Sequence, residues 1–398
     1  MAKLSSSNGL EKRPKLRFPG FDEPWKETTL SALFSKSTQK NADGHITNVI
    51  CNSAKLGLIP QREYFDKDIA NSDSTSGYYI IRQNDFVYNP RKSSDAPYGP
   101  ISSYKYAEDG IVSPLYLCFH AKDEINPLYY EWYFRSSAWH RYIYMSGDSG
   151  ARHDRVSIKD DTFFAMPINL PSEQEQSKIA SFLQSLDERI AAQEKLVASL
   201  KKYKRGVIKT IFDTLTPVSK SSIGKMSTMF SGGTPRSDIV EYYNGSIPFI
   251  RSGEIHNDFT ELHLSQIGLD NSSAKMVRQG DLLYALYGAT SGEVDISKID
   301  GAINQAILCI RTNEISSEYL ALWLEINKNN ILSKMLQGGQ GNLSGELVKS
   351  LVVPIYSKTE EQVIVRIGNS INKLIDANTN MLYMLNKAKE SLLQQMFI

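Results

Sequence analysis

Two stretches of this chain carry apolar residues at alternating steps of four and three, the spacing of a coiled-coil seam. The first falls on Ile179, Leu183, Leu186, Ile190, Gln193, Val197, Leu200, Lys204, Val207 and Ile211. The second falls on Ile364, Ile367, Ile371, Leu374, Asn378, Met381, Leu385, Ala388, Leu392 and Gln395. Eight of the ten positions are apolar in each. The pattern predicts long helices over 171–213 and 357–398. Each is opened by a proline (Pro171, Pro354) and a Glu-Gln pair (Glu175-Gln176, Glu361-Gln362), and each closes near a phenylalanine (Phe212, Phe397). The copies lie about 185 residues apart.

Ahead of each helix the period changes. Residues 16–170 and 221–356 hold short runs of Val, Ile, Tyr and Phe, punctuated by Gly, Pro, Asn, Asp and Ser, which read as strands and turns. Landmarks recur in order. Asn84-Asp85-Phe86-Val87-Tyr88 matches Gly280-Asp281-Leu282-Leu283-Tyr284, and Gly110-Ile111-Val112-Ser113 matches Ala302-Ile303-Asn304-Gln305. Ser146-Gly147-Asp148-Ser149-Gly150 matches Gly338-Gly339-Gln340-Gly341. The organisation expected is a polar, disordered tail at 1–15, a β-rich domain at 16–170, a spacer helix at 171–213, a linker at 214–220, a second β-rich domain at 221–356 and a second spacer helix at 357–398.

Such a period is too long for a solenoid repeat and implies duplication of a whole domain plus helix. Neither apolar seam can stay in water, since apolar surface is worth about 25 cal/mol per Å² on burial. The fold class expected is therefore α+β, with two β-rich domains separated by two long helices that pair as an antiparallel coiled coil, pseudo-twofold symmetric. A helix of about 40 residues spans about 60 Å. Two similar heads held apart in this way suit duplex DNA, whose major-groove faces recur about 34 Å apart. Because the heads differ in sequence, the expected target is bipartite and asymmetric.

Composition sharpens the picture. With 45 Lys+Arg against 44 Asp+Glu, a formal net charge of +1 excludes binding by bulk basicity. Positive groups must be placed locally, or partners must supply them. Cys51, Cys118 and Cys309 are too scattered for a disulfide framework or a zinc site and point to a reducing, cytoplasmic setting. The six His show no metal-ligand spacing. No apolar run of 18 residues exists, so no membrane span is expected. The 21 Tyr hint at a contact surface.

In the second domain, Ser231-Gly232-Gly233-Thr234-Pro235 precedes Tyr242-Tyr243-x-Gly245-x-Ile247-Pro248-Phe249-Ile250. Further on stand Gly280 to Gly292 and then Asn304-Gln305-Ala306. In this order the segments resemble a target-recognition domain of the specificity (S) subunits of type I restriction–modification systems. The Pro-led Glu-Gln helix openings resemble that family's conserved helices. Leu16-Arg17-Phe18-Pro19-Gly20-Phe21 with Trp25 resembles the start of many Gram-positive members. The first domain departs most: it lacks the Gly-Gly-Thr-Pro string and has Asn89-Pro90-Arg91-Lys92 where the second has Tyr287-Gly288-Ala289-Thr290.

The resemblance implies a non-catalytic subunit that recognises a split DNA sequence and scaffolds two methyltransferase (M) and two restriction/translocase (R) subunits. It implies S-adenosylmethionine in the M subunits, ATP and Mg in the R subunits, and no cofactor in this chain. The chain has neither an Asn-Pro-Pro-Tyr/Phe motif nor a G-x-x-x-x-G-K-[ST] loop. Other readings are the recognition subunit of a type II-like multisubunit system and a coiled-coil adaptor.

Candidate DNA contacts in the first domain are Asn89, Arg91, Lys92, Gly147, Arg152 and Arg155, where cations or backbone N–H groups in loops can approach phosphate or guanine. In the second they are Ser231, Gly232, Gly233 and Thr234 as a phosphate nest, the nearby cations Arg236 and Arg251, and Tyr287, Gly288 and Thr290 at base edges. Asn304 and Gln305 carry amides suited to adenine, and Gln340 and Asn342 sit in the turn equivalent to the first domain's 147–152. Gln193 and Asn378 take the fifth seam position of their helices, where facing amides would fix register. The basic run Lys201 to Arg205 reads first as a solvated helix end.

Overall fold

The computed structural model describes residues 13–64, 75–147, 154–337 and 343–398. Most of the expected tail, together with Arg152, Gln340 and Asn342, lies outside the described residues. The chain divides into two compact units, 1–193 with 381–398, and 194–380. Each joins a β-rich domain to part of both long helices.

In the first unit β1 (Lys26–Thr29), α1 (Leu30–Leu33) and β2 (Phe34–Ser37) lead into a hairpin of β3 (Ile50–Ser53) and β4 (Gly57–Pro60), then α2 (Gln61–Tyr64). Next come β5 (Tyr79–Ile81), β6 (Phe86–Tyr88), β7 (Ile101–Ser103), β8 (Gly110–Val112) and β9 (Leu117–Ala121). The helices α3 (Pro127–Arg135), α4 (His140–Ser146) and α5 (Asp160–Phe164), strand β10 (Pro167–Leu170) and long α6 (Glu173–Thr214) follow. The main sheet has the order β2-β9-β6-β7. Antiparallel β1 and β10, with Lys26 opposite Leu170, tie the entry of the domain to its exit.

The second unit repeats the plan. It contains β11 (Ser219–Ser222), β12 (Ser227–Ser231), β13 (Ile247–Ile250), β14 (His263–Leu264), α7 (Gln266–Asp270) and β15 (Lys275–Val277). Strands β16 (Leu282–Ala285), β17 (Val294–Ile296), β18 (Gly301–Ile303) and β19 (Ile307–Thr312) come next, followed by α8 (Ser317–Gln337), α9 (Gly345–Ser350), β20 (Val352–Ile355) and α10 (Lys358–Met396). Its main sheet, β12-β19-β16-β17, matches the first strand for strand, and β11–β20 stands where β1–β10 does. The duplication read from the sequence is therefore the organising feature of the fold. The linker is shorter than expected, because Ser219 and Lys220 pair with Ile355 and Pro354 in β11–β20.

The two cores differ in kind. The first gathers Phe34, Phe86, Tyr88, Phe119, Tyr129, Trp132, Tyr133, Phe134, Trp139 and Phe163. The second is built on Leu282, Leu286, Ile310, Leu320, Leu322, Leu324, Val348 and Ile364, with few rings. The tyrosine excess is thus not mainly a contact surface. Tyr88, Tyr104, Tyr129, Tyr130, Tyr133, Tyr284 and Tyr319 are buried, because interlocking aromatic edges and faces fill the space beside short strands.

In the first unit Met396 and Phe397 at the end of α10 pack with Ile179, Ala180 and Leu183 near the start of α6. In the second, Ile211 and Phe212 at the end of α6 pack with Ile364 at the start of α10. The helix pair is antiparallel in both. All ten seam positions expected in α6 are buried or half-buried. In α10 seven of the ten expected seam positions are buried or half-buried, and the other three fall out of phase. Gly368, Ile375, Leu382, Lys389 and Met396 turn inward, whereas Leu374, Met381 and Ala388 are exposed. Apolar residues flank the true seam in α10, so 3-4 and 4-3 alternations from Ile364 look alike in sequence. Gly368 settles the phase: Leu322 of α8 lies so close that a Cβ there would stand 2.5 Å from its Cδ1. No helix among the described residues is long and apolar enough to cross a membrane.

Candidate nucleic-acid interface

In the first domain four of the six expected residues, Asn89, Arg91, Lys92 and Arg155, line a cleft of 830 Å³. One wall is the β3–β4 hairpin with Lys55 at its tip. The other is the segment after β6, with Asn89, Arg91 and Lys92, and Arg155 lies against it. The floor is fixed by buried Asn52. Its Nδ2 donates to the carbonyls of Val87 (2.8 Å) and Pro100 (3.2 Å), and its Oδ1 accepts from Ser102 Oγ (2.8 Å). The Asn52 carbonyl accepts from Asn89 Nδ2 (3.3 Å), whose own Oδ1 accepts the Arg91 N–H (3.1 Å). A satisfied buried network of this kind holds a loop in one conformation before any ligand arrives. Asn89 is therefore a support of the wall, with its side chain already bonded. Gly99 must be glycine: its φ is +83° and a Cβ would stand 2.1 Å from the Asn89 carbonyl.

Gly147 caps α4, its N–H donating to the Ile143 carbonyl at 2.9 Å. That donor is therefore not open to a phosphate, and the glycine is required by the 2.8 Å approach of the same carbonyl to its Cβ position.

Ser231–Thr234, Tyr287, Asn304 and Gln305 lie at one end of the second domain's main sheet, where β12 and β16 finish and β19 begins. Gly233 N–H donates to the Ile303 carbonyl (3.3 Å), Thr234 Oγ1 to Gln305 Oε1 (2.6 Å) and Leu286 N–H to the Ala306 carbonyl (2.8 Å). The segment expected as a phosphate nest is packed tightly against its neighbours. A Cβ on Gly232 would stand 1.8 Å from the Ile303 carbonyl, and one on Gly233 would stand 2.5 Å from Ser273 Cβ. These glycines allow Ser231–Thr234 to press against β18, and the N–H of Gly233 is already bonded. Asn304 Oδ1 accepts the Ala306 N–H (3.1 Å) and shapes its own loop, while Gln305 remains exposed. Tyr287 leads a turn in which Gly288 has a φ of +73° and Thr290 Oγ1 donates to the Tyr287 carbonyl (3.3 Å).

Both expected second-domain cations are held by the protein. Arg236 pairs with Asp238 at 2.7 Å. Arg251 donates to both oxygens of Glu254 (2.9 and 3.0 Å) and to Glu261. These carboxylates drive the Arg251 pKa far above its ordinary value. Burial pushes Glu254 up, but the Arg251 hydrogen bonds outweigh it and leave the carboxyl below its usual range. The same capture recurs at Arg311 with Asp281 (2.7 Å) and at Lys328 with Glu293.

On the helices, Gln193 is buried and Asn378 Nδ2 donates to the Leu374 carbonyl at 2.8 Å. Lys204 leaves the basic run: it is buried and paired with Glu325 of α8. Lys201, Lys202 and Arg205 stay exposed. Sequence reasoning assigned no role to Arg17. Its Nε and Nη2 clasp Glu175, fully buried at the start of α6, at 2.7 and 2.8 Å. The N-terminal segment is also held by Phe18 edge-on to Phe182 (5.5 Å) and by the Leu16 N–H on the Gln395 carbonyl (2.9 Å). Arg17 within an otherwise apolar opening is the signal in sequence, but its partner is distant along the chain. Among the described residues, no group of three or more His, Cys, Asp and Glu is placed to hold a metal ion.

Residues 32–202 and 217–385 both match the family described as type I restriction modification DNA specificity domain. A curated relative, a putative type I restriction enzyme MjaX specificity subunit from Methanocaldococcus jannaschii, is 22% identical over 262 residues. The match spans 60% of this chain and 60% of that protein's length. Among solved structures, the S subunit of a type I restriction–modification system from M. genitalium aligns with a TM-score of 0.57 at 15% identity, covering 97% of this chain and 99% of that one. A structure reported for complex assembly and conformational transition of the type I system aligns at 0.59 and 16% identity, covering 95% and 98%. At such identities the likeness to solved structures is one of fold.

Proposed function

We infer the function from one premise: the chain belongs to the type I restriction–modification DNA specificity family, two copies of whose domain occupy most of its length. It acts as the non-catalytic subunit that chooses the DNA sequence. Each β-rich domain binds one half of a bipartite, asymmetric target. The paired helices set the spacing and carry two methyltransferase subunits, to which two restriction subunits join. S-adenosylmethionine belongs to the former, ATP and Mg to the latter, and this chain binds none of them.

The observation that carries this reading is the pair of main sheets, alike strand for strand, whose ends present different residues: Arg91, Lys92 and Arg155 in one, Tyr287, Thr290 and Gln305 in the other. A repeated frame with unlike tips suits two unlike half-sites. Methylome sequencing of a host expressing the chain with its methyltransferase tests it. The expected result is one methylated motif of two unlike halves with a fixed gap. A continuous or palindromic motif overturns the bipartite reading, and no methylation beyond the host background overturns the specificity role.

A further inference from the structure

The first domain's cleft holds a charge arrangement that the fold alone leaves unbalanced. Residues 90–92 and 154–156 form a short antiparallel ribbon. Lys92 N–H donates to the Asp154 carbonyl (2.8 Å), Val156 N–H to the Pro90 carbonyl (2.9 Å), and Arg91 stands directly opposite Arg155. Opposed residues of an antiparallel pair share a face with Cβ atoms about 5 Å apart, and like charges so placed repel.

Both arginines line the cleft, and Arg91 makes no ion pair among the described residues. The carboxylate paired with Arg155 is that of its neighbour Asp154, 4.0 Å from Nε, and that Nε is shielded from solvent with no hydrogen-bond acceptor among the described residues. A buried N–H left unpaired costs about 1–3 kcal/mol. An anion between the two guanidinium groups removes the repulsion.

The cleft also limits which anion enters. It is open and wide, and of its two other cations Lys92 is exposed and Lys55 already pairs with Asp95 on the opposite wall at 3.6 Å. A phosphodiester offers two non-bridging oxygens, the geometry that two guanidinium forks bind best. We propose that Arg91 and Arg155 jointly clasp a single backbone phosphate of the DNA bound by the first domain. This rests on the specificity-subunit reading and adds a defined contact to it. The pair positions the half-site; it reads no base.

The test uses the full chain assembled with its methyltransferase, and duplexes carrying its methylated motif. Arg91→Gln and Arg155→Gln are each expected to weaken binding about 10-fold or more. The double variant loses little beyond either single one. Because one phosphate is shared, the slope of log K against log salt falls by about 1, not 2, in the double variant. Single neutral methylphosphonate replacements across the first half-site should find one position that weakens the wild type and leaves the double variant unchanged. Without DNA, the variants should unfold at the same temperature or higher, since repulsion is removed. An unchanged salt slope, a loss confined to duplexes altered at one base pair, or a lowered unfolding temperature with a wild-type methylphosphonate profile would each overturn the clasp. A wild-type complex that binds no duplex overturns the specificity reading instead.

Discussion

The two recognition domains share a main sheet strand for strand and differ in how they hold the cations at their candidate contact sites. In the first, Arg91, Lys92 and Arg155 border an open cleft in which, among the described residues, no carboxylate of good geometry meets them. In the second, Arg236, Arg251, Arg311 and Lys328 all rest on aspartate or glutamate of the same domain. A common frame therefore does not imply a common mode of contact. The first domain has charge to offer a phosphate backbone. The second presents neutral groups, a tyrosine ring and an amide, above a rim of ion pairs. The near-zero net charge carries no trace of this local difference, because it counts paired and unpaired groups alike.

The largest expected effect lies where the helices begin. In the first unit the opening carboxylate, Glu175, is buried against a bidentate guanidinium; in the second, Glu361 accepts the Ser316 N–H (2.7 Å) and lies 3.4 Å from Lys358 Nζ. Glu175→Gln strands Arg17 and should cost about 3–5 kcal/mol in urea unfolding. Glu361→Gln loses half of one charged hydrogen bond and should cost about 1–2 kcal/mol. Equal losses would show that the two helix openings are equivalent after all.

A smaller effect separates the cations. Arg251→Gln leaves Glu254, only 8% exposed, without its bidentate partner. Stability should fall by about 1–3 kcal/mol while the salt dependence of DNA binding stays at the wild-type slope. A reduced slope with unchanged stability would mean that Arg251 faces DNA as the first-domain arginines do.

The smallest effect is in pH. His140 of the first domain packs on the rings of Tyr98 (4.9 Å) and Trp139 (4.7 Å), and burial lowers its pKa from 6.5. Acidification through 6.5 therefore protonates the unfolded chain before the folded one, and stability falls as pH drops. His256 of the second domain is raised above 6.5, chiefly by its hydrogen bond to Asp295 (2.9 Å), with burial opposing. Its contribution is complete below 6.5 and is lost as pH rises through the higher folded value. His140→Gln should flatten stability on the acid side, and His256→Gln on the neutral and alkaline side. Opposite assignments, read from unfolding midpoints between pH 5 and about 8, would reverse this contrast.

Local pattern made much of this legible. Alternation by four and three located both helices and ten of the buried or half-buried positions of α6. In α10, two adjoining stripes admitted two phases, and a glycine facing Leu322 decided between them. Turn-and-strand landmarks located the loops that gather at the sheet ends. Charge pairing was not legible. Arg17 meets Glu175, and Arg91 meets Arg155, across long sequence separations set by sheet order, and no periodicity encodes them. The glycines of Ser231–Thr234 looked like donors for a ligand, whereas tight packing against β18 explains them.

The first unit is assembled from two separate pieces of chain, since residues 381–398 return to it and Phe397 sits against Tyr129 and Tyr133. The second unit is one continuous piece. During synthesis the order of completion is thus inverted. The domain translated first keeps an aromatic face open, and its opening segment lacks the Gln395 carbonyl, until the whole of the second unit has left the ribosome. Any truncation within 381–398 acts as a lesion of the first recognition domain, although it lies beyond the second one along the chain.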